Sequence, residues 1–389
     1  MQWLIAALIM VPAADAPPAW RRVERTERHM ATDFTIVLYA SAPTQDAGPA
    51  TAPAPAAKAN TENASGNSDA DGKTVSGQAV GAQPAGAPAS GEKPRFEQAL
   101  DAAFARIRTL DKVLSDYDDA SELSRLSAAS PTAKRVPVSG DLWRALERAD
   151  AMSRLTDGAF DATVGPLTRL WRRSRRQREL PSAERLAAAR EAVGYQLVRL
   201  HAVEKSVELL RPNMRLDMGG IGQGLAADEA LAELRRWGFP RALVNASGDI
   251  VAGEPPPDMA GWRVGIAPLD PAAPPSHFLS LKRGAVSTSG DAFQFVEIAG
   301  QRYSHIVDPR TGLGVVDRSS VSVVASDGTT ADALATALCV LGPTRGLEMI
   351  DRLPDTAAIY VQADPASGAT RTRPSRRWSE LAPNVGPAR

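Results

Sequence analysis

The chain has 389 residues, with 45 lysine and arginine residues against 45 aspartate and glutamate residues, so its formal net charge at pH 7 is zero. This balance argues against a nucleic-acid partner, which would require a clustered basic face. Cys339 is the single cysteine of the sequence. An internal disulfide is therefore excluded, and the apolar surroundings of Cys339 predict a buried, inert thiol.

Residues 1–16 are mostly apolar and end in small residues. The stretch is too short to span a bilayer and resembles the apolar region and cleavage site of a signal peptide, although a positively charged start is missing. No Leu-x-x-Cys lipid-attachment motif is present in this stretch. We therefore expect a periplasmic or otherwise exported protein of the bacterial envelope, either soluble or peripherally membrane-associated.

The segment Thr32–Ala40 is rich in β-branched and aromatic residues and predicts a strand. Residues 41–92 that follow are mainly Ala, Pro, Gly, Ser, Asn and Thr. Such a segment cannot bury enough apolar surface to offset its ordering entropy, which predicts a disordered insertion. We expect one domain over residues 20–368, interrupted by this insertion, and a frayed tail over residues 369–389.

Helical patterns dominate the next part of the chain, where apolar residues recur at three- and four-residue spacing or helix boundaries are marked by serine, proline and glycine. The predicted helices run from Phe96 to Leu114, from Gly140 onward, from Ser182 to Gly194, and from residues 219–224 to Gly238. Between them lies the one basic cluster, Trp171–Arg178. Because it has no accompanying aromatic pattern, we interpret it as a solvated helix end or a loop.

Short strands are predicted in the second half of the chain, with Ala299-Gly300 as a hairpin turn. The predicted strands are Ala242–Val244, Trp262–Ile266, Phe278–Leu281, Phe293–Ile298, Arg302–Ile306, Ser320–Ala325 and Ala357–Val361. Two helices are predicted among them, around Asp332 and over Thr344–Asp351. Helices and antiparallel strands in separate runs indicate an α+β fold rather than a doubly wound sheet.

A glycine-dense segment, Leu216–Gly224, precedes the fourth helix. Its glycines permit close backbone approach and expose amides at a helix N-terminus, as in phosphate-binding loops. It is neither a Walker A loop nor a dinucleotide-binding fingerprint, and a glycine-rich turn without a ligand is an equal alternative.

Three further polar segments, Asn245–Asp249, Val286–Asp291 and Tyr303–Gly312, contain hydroxyl, amide and carboxylate groups. The first is interpreted as a hairpin turn or loop and the second as a loop. The third contains His305, the one histidine of this chain within a polar, glycine-bounded segment of this kind. A lone histidine is more often structural than catalytic, and both interpretations stay open.

The helix Thr329–Leu338 places Asp332 and Thr336 four residues apart, on one face. A carboxylate and a hydroxyl so arranged suit Mg²⁺, which is bound through one or two carboxylates and often shares its shell with a phosphate. The alternative is a capped helix start with no ligand, in which the threonine bonds back to the helix.

In chain order, these segments together resemble the ApbE family, the FAD:protein FMN transferases. The resemblance covers most of the chain outside the N-terminus and the insertion. The segments that carry it are His29–Thr32, Leu114–Tyr117 with Ser121–Leu126, Gly158–Leu167 with Leu170-Trp171, Leu216–Gly224 with Asp228, Thr288–Asp291, His305–Gly312 and Ala331–Thr336.

The resemblance implies a T-fold-like α+β core of antiparallel strands with packed helices, whose two lobes surround an FAD cleft. Mg²⁺ is the implied cofactor and FAD the implied substrate. The implied FAD contacts are Met30, Tyr117, Ala159, Phe160, Asp161, Asp217, Gln223 and Ile306. The implied Mg²⁺ ligands are the carbonyl groups of Gly220 and Ala335 and the side chains of Asp332 and Thr336.

The resemblance also implies the reaction: a threonine or serine hydroxyl of a target redox protein attacks FAD, AMP leaves, and FMN stays attached through a phosphoester. The implied target is membrane-associated and carries an Asp-x-x-Ser/Thr-Gly-Ala-Ser/Thr motif. His305 and Asp332 are the catalytic candidates, and His305 or a nearby carboxylate would deprotonate the hydroxyl. The alternatives are a Mg²⁺-dependent FAD pyrophosphatase and a non-catalytic FAD-binding or flavin-trafficking protein.

Four positions depart from the family pattern. Gln223 stands where many members have lysine, and Gln294 falls near a position often held by arginine. Ala31 and Ser247 each replace a glycine of the family's motifs.

Overall fold

The computed structural model describes residues 20–41, 93–270, 272–275, 277–291, 294–364 and 367–384. The predicted signal peptide and nearly all of the predicted insertion lie outside these ranges. Ser41, the first residue assigned to the insertion, instead ends a strand.

The described residues contain fifteen strands. In chain order they are β1 (Trp20–His29), β2 (Thr32–Ser41), β3 (Val136–Pro137), β4 (Val198–His201), β5 (Ser206–Leu209), β6 (Ala242–Ala246), β7 (Asp249–Ala252), β8 (Trp262–Gly265), β9 (Phe278–Leu281), β10 (Gly284–Gly290), β11 (Phe295–Ile298), β12 (Gln301–Ser304), β13 (Ser319–Ala325), β14 (Ala357–Ala363) and β15 (Thr370–Pro374).

The same residues form eight α-helices. They are α1 (Arg95–Leu114), α2 (Glu122–Ala128), α3 (Gly140–Leu155), α4 (Gly165–Gln177), α5 (Ala183–Glu191), α6 (Gly222–Arg236), α7 (Gly328–Ile350) and α8 (Trp378–Leu381).

An eight-stranded sheet in the order β1-β2-β6-β7-β10-β13-β14-β15 forms the centre of the fold, and every neighbouring pair is antiparallel. Side chains alternate between its faces, as the period of a strand requires. On β2, Ile36 and Leu38 join the core under α1 and α6, whereas Val37 and Tyr39 pack on the other face with β8 and β9. The predicted α+β class is confirmed, and the two lobes remain a prediction.

The long helix α7 lies inside this core. By length and composition it is apolar enough to cross a membrane. It packs against α3, α6, β10 and β13, which are the contacts of a central core helix. Gly342, with φ of 73°, and the following Pro343 interrupt it, so the two helices predicted here are the parts of α7 on either side of this kink.

Three expectations from the sequence are wrong. Val286–Asp291 is not a loop, because most of it lies in β10 at the centre of the sheet. The tail from residue 369 is not frayed as far as it is described, since β15 pairs with β14 and α8 follows. Gly194 does not end α5, which stops at Glu191.

Candidate functional site

The polar segments of the sequence meet at one end of the central sheet, around a cavity of about 460 Å³. Its walls come from the start of α6 and the loop before it, the β6–β7 turn, β8 with the residues between it and β9, the end of β10, the residues that follow β12, and α7. The sequence-predicted site residues that line it are Gln223, His305, Ile306, Asp332 and Thr336.

The proposed metal donors lie where α7 faces the glycine-rich loop. Asp332 is 4% exposed, and its Oδ2 accepts a hydrogen bond from the N–H of Gly224 at 3.1 Å. A Cβ atom on Gly220 would lie 2.7 Å from Oγ1 of Thr336. Because glycine has no Cβ, the loop backbone can approach this hydroxyl, and the structure brings Gly220, Asp332 and Thr336 together.

A pair of glycines sets the approach of α6 and α7. A Cβ atom on Gly224 would lie only 2.2 Å from the carbonyl oxygen of Gly328. One turn along α6, the carboxylate of Asp228 accepts hydrogen bonds from the N–H groups of Gly328 at 2.7 Å and Thr329 at 2.8 Å. Asp228 therefore caps α7 from the neighbouring helix and anchors the turn that leads to Asp332.

Two carboxylates share this end of the cavity. Burial raises the pKa of Asp249 to about 6. A hydrogen bond from the Ser287 hydroxyl favours the charged form of Asp249 and partly offsets this effect. Burial, with the carboxylates of Asp249 and Asp228, raises the pKa of Asp332 well above its usual value. A nearby divalent cation would stabilise the ionised forms that this environment disfavours.

The donor chemistry fits Mg²⁺. Among the residues that the structure describes, no group of three or more His, Cys, Asp or Glu side chains could hold a metal. The available donors are hard oxygens: the Asp332 carboxylate, the Thr336 hydroxyl, and the carbonyl groups of Gly220 and of the buried Ala335. Mg²⁺ accepts few carboxylates and completes its shell with water and substrate phosphate.

His305 follows β12 and presents a defined tautomer. Its backbone N–H and its Nδ1 atom lie 3.0 and 3.1 Å from the carbonyl oxygen of Gln294. A carbonyl only accepts, so Nδ1 carries the hydrogen and Nε2 keeps its lone pair. Burial lowers the pKa of His305, and the positive charge of Arg175 acts in the same direction. The imidazole is therefore suited to accept a proton at Nε2 near neutral pH.

An aromatic and basic surface adjoins the glycine-rich loop. Tyr117 is 72% exposed, and the guanidinium carbon of Arg172 lies 4.0 Å from its ring centroid. Arg172 also pairs with Asp116 at 2.6 Å, while Oδ1 of Asp217 accepts the N–H of Gly219 at 2.8 Å. An exposed ring held in this way is suited to stacking against a planar ligand.

Several residues implied to contact FAD do not line the cavity: Met30, Tyr117, Ala159, Phe160, Asp161 and Asp217. The side chains of Ala159 and Phe160 are buried in the main core. Both carboxylate oxygens of Asp161 are already bonded, one to Thr163 and the other to the N–H of Tyr195 at 2.8 Å. The Asp161 carboxylate therefore stabilises the local backbone around residues 161–163 and 195.

Arg172 and Arg175 are the site residues that the sequence interpretation missed. From the sequence, the basic cluster Trp171–Arg178 is interpreted as a solvated helix end or a loop. It forms the second half of α4, but it is not wholly solvated. Trp171 is buried and donates from Nε1 to the carbonyl of Gly312 at 2.8 Å. Arg175 donates to Oε1 of Gln294 at 3.3 Å. The three-residue spacing of the two arginines, which places them on one helix face, was the available signal.

Comparisons with known proteins agree with this geometry. A model of the ApbE family matches residues 74–360. An FAD:protein FMN transferase of Treponema pallidum (strain Nichols) is 32% identical over 281 residues, which cover 68% of this chain and 77% of that protein. One from Escherichia coli (strain K12) is 30% identical over 257 residues, covering 64% and 72% respectively.

Solved structures show the same fold. The flavin transferase ApbE from Vibrio cholerae superposes with a TM-score of 0.71 at 22% identity, covering 93% of this chain and 99% of that one. The flavinyl transferase ApbE of Pseudomonas stutzeri in its apo form gives a TM-score of 0.70 at 25% identity, covering 93% and 97%.

Proposed function

Because the chain belongs to the ApbE family, we propose that it is an FAD:protein FMN transferase, which moves FMN from FAD to a threonine or serine hydroxyl of a target redox protein with Mg²⁺ as cofactor. One observation carries the proposal: a single cavity is lined both by the Asp332 and Thr336 oxygens and by His305. A site for a metal-bound phosphate and a proton acceptor therefore face the same space.

The chain's own residues prepare the pyrophosphate for attack. Asp332, Thr336 and the carbonyl groups of Gly220 and Ala335 would hold Mg²⁺, which when bound offsets the charge of the phosphates as the anhydride bond breaks. The N-terminus of α6 adds its partial positive charge to the same region. Gln223 in its first turn contributes a neutral amide where many family members have lysine.

The proton moves through His305. Its Nε2 atom accepts the hydrogen of the acceptor hydroxyl while the hydroxyl oxygen bonds to the FMN phosphorus. The bond from that phosphorus to the bridging oxygen breaks, and AMP leaves with the oxygen and the electron pair. FMN remains joined to the acceptor by a phosphoester.

The flavin donor is held by residues on both sides of the glycine-rich loop. The exposed ring of Tyr117, backed by Arg172, stacks on a planar ring of FAD. The remaining FAD contacts in this proposal are Met30, Asp217, Gln223 and Ile306, together with the backbone of residues 159–161, whose side chains are buried in the core or already bonded.

The proposal places the reaction outside the cytoplasm. The N-terminal sequence supports export, and the acceptor is then a membrane-associated redox protein with an Asp-x-x-Ser/Thr-Gly-Ala-Ser/Thr motif. Fractionation of cells that express the full chain tests this part: recovery in the cytoplasm with an intact N-terminus would contradict it.

Mass spectrometry of a candidate acceptor domain, after incubation with the chain, FAD and Mg²⁺, tests the reaction. A mass gain equal to FMN on a threonine or serine is expected, and Asp332→Asn should reduce its rate at least about a hundredfold by removing the metal's carboxylate. Release of AMP with an unmodified acceptor would assign a pyrophosphatase instead, and intact bound FAD would assign a binding protein.

Asp228→Asn is the matched control, because it also alters a half-buried carboxylate beside α7. We expect it to lower the free energy of unfolding by about 1–3 kcal/mol, since the amide cannot accept every bond that Asp228 accepts. Mg²⁺ binding should survive in Asp228→Asn and be lost in Asp332→Asn. Mg²⁺ binding that survives in Asp332→Asn would mean that the metal assignment is wrong.

A further inference from the structure

The central sheet has an open edge inside the cavity. Strand β7 pairs with β10 only as far as Ile250, which lies opposite Val286. Ser247 and Gly248, just before β7 in the chain, form the turn that joins it to β6. Strand β10 continues to Gly290, paired on its other side with β13. Beyond Ser287, which lies opposite the first residue of β7, β10 therefore has a neighbouring strand on one side alone among the described residues.

The register identifies which backbone groups face this opening. Asp291 donates to the carbonyl of Ser319 directly opposite it, so in the alternating antiparallel pattern Ser289 also bonds to β13. The N–H and C=O groups of Thr288 and Gly290 then point the other way. No backbone hydrogen bond to these groups from that side is present in the described part of the chain.

The neighbouring hairpin leaves this edge accessible. The N–H of Gly248 is bonded to Oδ1 of Asn245 at 3.1 Å, so the turn is closed on itself and does not extend the pairing. A Cβ atom on Gly248 would meet nothing within 4 Å. The hydroxyl of Thr288 bonds to the Ser322 hydroxyl at 2.8 Å, which holds the threonine side chain on the β13 side.

The open edge belongs to the cavity that contains the reacting groups. Thr288 and Gly290 line it together with His305, Asp332 and Thr336. Two exposed N–H and C=O pairs, two residues apart along a strand, are separated by about 7 Å. An extended polypeptide repeats its own backbone groups at that interval, and FAD does not.

We propose that an extended segment of the acceptor protein adds to β10 as a further strand, pairing with Thr288 and Gly290 and so presenting its hydroxyl to His305. This inference rests on the proposed transferase function and names the way the acceptor is bound. Strand addition takes its affinity from main-chain hydrogen bonds, and its specificity from side chains at alternate positions.

Residue-resolved amide hydrogen exchange of the full chain tests the proposal. The probe is a synthetic peptide with the motif Asp-x-x-Ser/Thr-Gly-Ala-Ser/Thr in which both hydroxyl residues are replaced by alanine, added in the presence of FAD and Mg²⁺. Exchange at Thr288 and Gly290 should slow at least tenfold, while Ser289, already paired with β13, should not change. Slowing of Thr288 and Gly290 by FAD alone, or no slowing by a bound peptide, would overturn the proposal.

A second experiment uses the reaction itself. In a peptide with its hydroxyls intact, single backbone N-methylations should raise KM at least tenfold at alternate residues and little at the residues between, because alternate N–H groups face β10. A uniform effect along the peptide would contradict strand addition while the transferase function stands. If no acceptor domain or peptide gains FMN although FAD and Mg²⁺ bind, the proposed function itself fails and this inference fails with it.

Discussion

The charges around His305 determine the pH at which it can accept a proton. Arg175 favours the neutral imidazole, whereas the carboxylates of Asp291 and Asp217 and the Gln294 carbonyl favour the protonated form. Burial has the largest effect and acts in the same direction as Arg175, so the pKa of His305 lies below its usual value. A general base loses activity as the pH falls through its pKa, and we expect the acidic limb of kcat/KM below about pH 6.5.

Arg175→Gln tests this balance. Removal of the positive charge stabilises the imidazolium and raises the pKa of His305, so the acidic limb should move to higher pH. Arg173→Gln is the control, because Arg173 lies on the same helix and bonds to Gln177 at the surface. Profiles that coincide for both variants and the unmodified chain would contradict the effect on the pKa of His305 assigned to Arg175.

Two tight turns place non-glycine residues in the left-handed region of backbone conformation. Ala31 joins β1 to β2 with φ of 61°, and Ser247 joins β6 to β7 with φ of 52°. Both replace a glycine of the pattern that the chain resembles. We expect Ala31→Gly and Ser247→Gly each to raise the free energy of unfolding by about 0.5–1 kcal/mol, because the steric cost of a Cβ there disappears.

Urea denaturation measures this effect. Ala40→Gly is the comparison, since Ala40 lies in β2 with extended backbone and glycine there should lower stability by about 0.5–1 kcal/mol. A loss of stability in all three variants would show that the turns are not strained.

The contact between α6 and α7 has almost no tolerance for added volume. Gly224→Ala would place a methyl group on the carbonyl of Gly328, so the helices must separate and Asp332 must move away from the glycine-rich loop. We expect a loss of about 1–3 kcal/mol of stability together with weaker Mg²⁺ binding, measured by denaturation and calorimetry.

Gly140→Ala is the matched control at the start of α3. A Cβ atom there meets its nearest side chain at 3.9 Å, so the better helix propensity of alanine should raise stability by about 0.5–1 kcal/mol. Similar losses of stability in Gly140→Ala and Gly224→Ala would show that the α6–α7 contact is not unusually sensitive to added volume.

The elements that the sequence predicted are those with a strong local period. The three- and four-residue spacing of α1 needs no tertiary information. Strand β10 lacked such a signal, because its serines and threonine resemble a loop until their partners are known: Ser287 bonds to Asp249 and Thr288 to Ser322. Strand β1 was missed because Trp20–His29 is largely charged, as suits an edge strand that pairs with β2 alone.

The same distinction applies to the candidate site. Asp332 and Thr336 could be paired from sequence, since four residues make one helical turn. Two other features depend on how α6, β7 and α7 pack, which no local pattern contains. They are the approach of Gly220 to Thr336 and the effect of the Asp249 carboxylate on the pKa of Asp332. Arg175 reaches Gln294 across 119 positions of the chain, a contact that spacing cannot predict.

At the scale of the whole molecule, the C-terminal segment closes the fold. Ser375 and Ala358 exchange hydrogen bonds at 2.8 and 2.9 Å, and Arg377 donates to the carbonyl of Ile350 near the end of α7 at 3.1 Å. Ala382 is buried with the core on the β8–β9 face. A chain that ends at Ala363 leaves the second edge of β14 and this core exposed, so we expect it to be insoluble or several kcal/mol less stable.

Shortening the predicted insertion should have the opposite effect on stability. Replacing residues 42–92 with about ten Gly and Ser residues keeps β2 and α1 intact and shortens the connection between them about fivefold. By the logarithmic dependence of loop entropy, the folded state should gain about 1.4 kcal/mol, and FMN transfer should continue at the original rate. Denaturation curves and the transfer assay measure both quantities; loss of transfer with a stable fold would mean that the insertion contributes to acceptor binding.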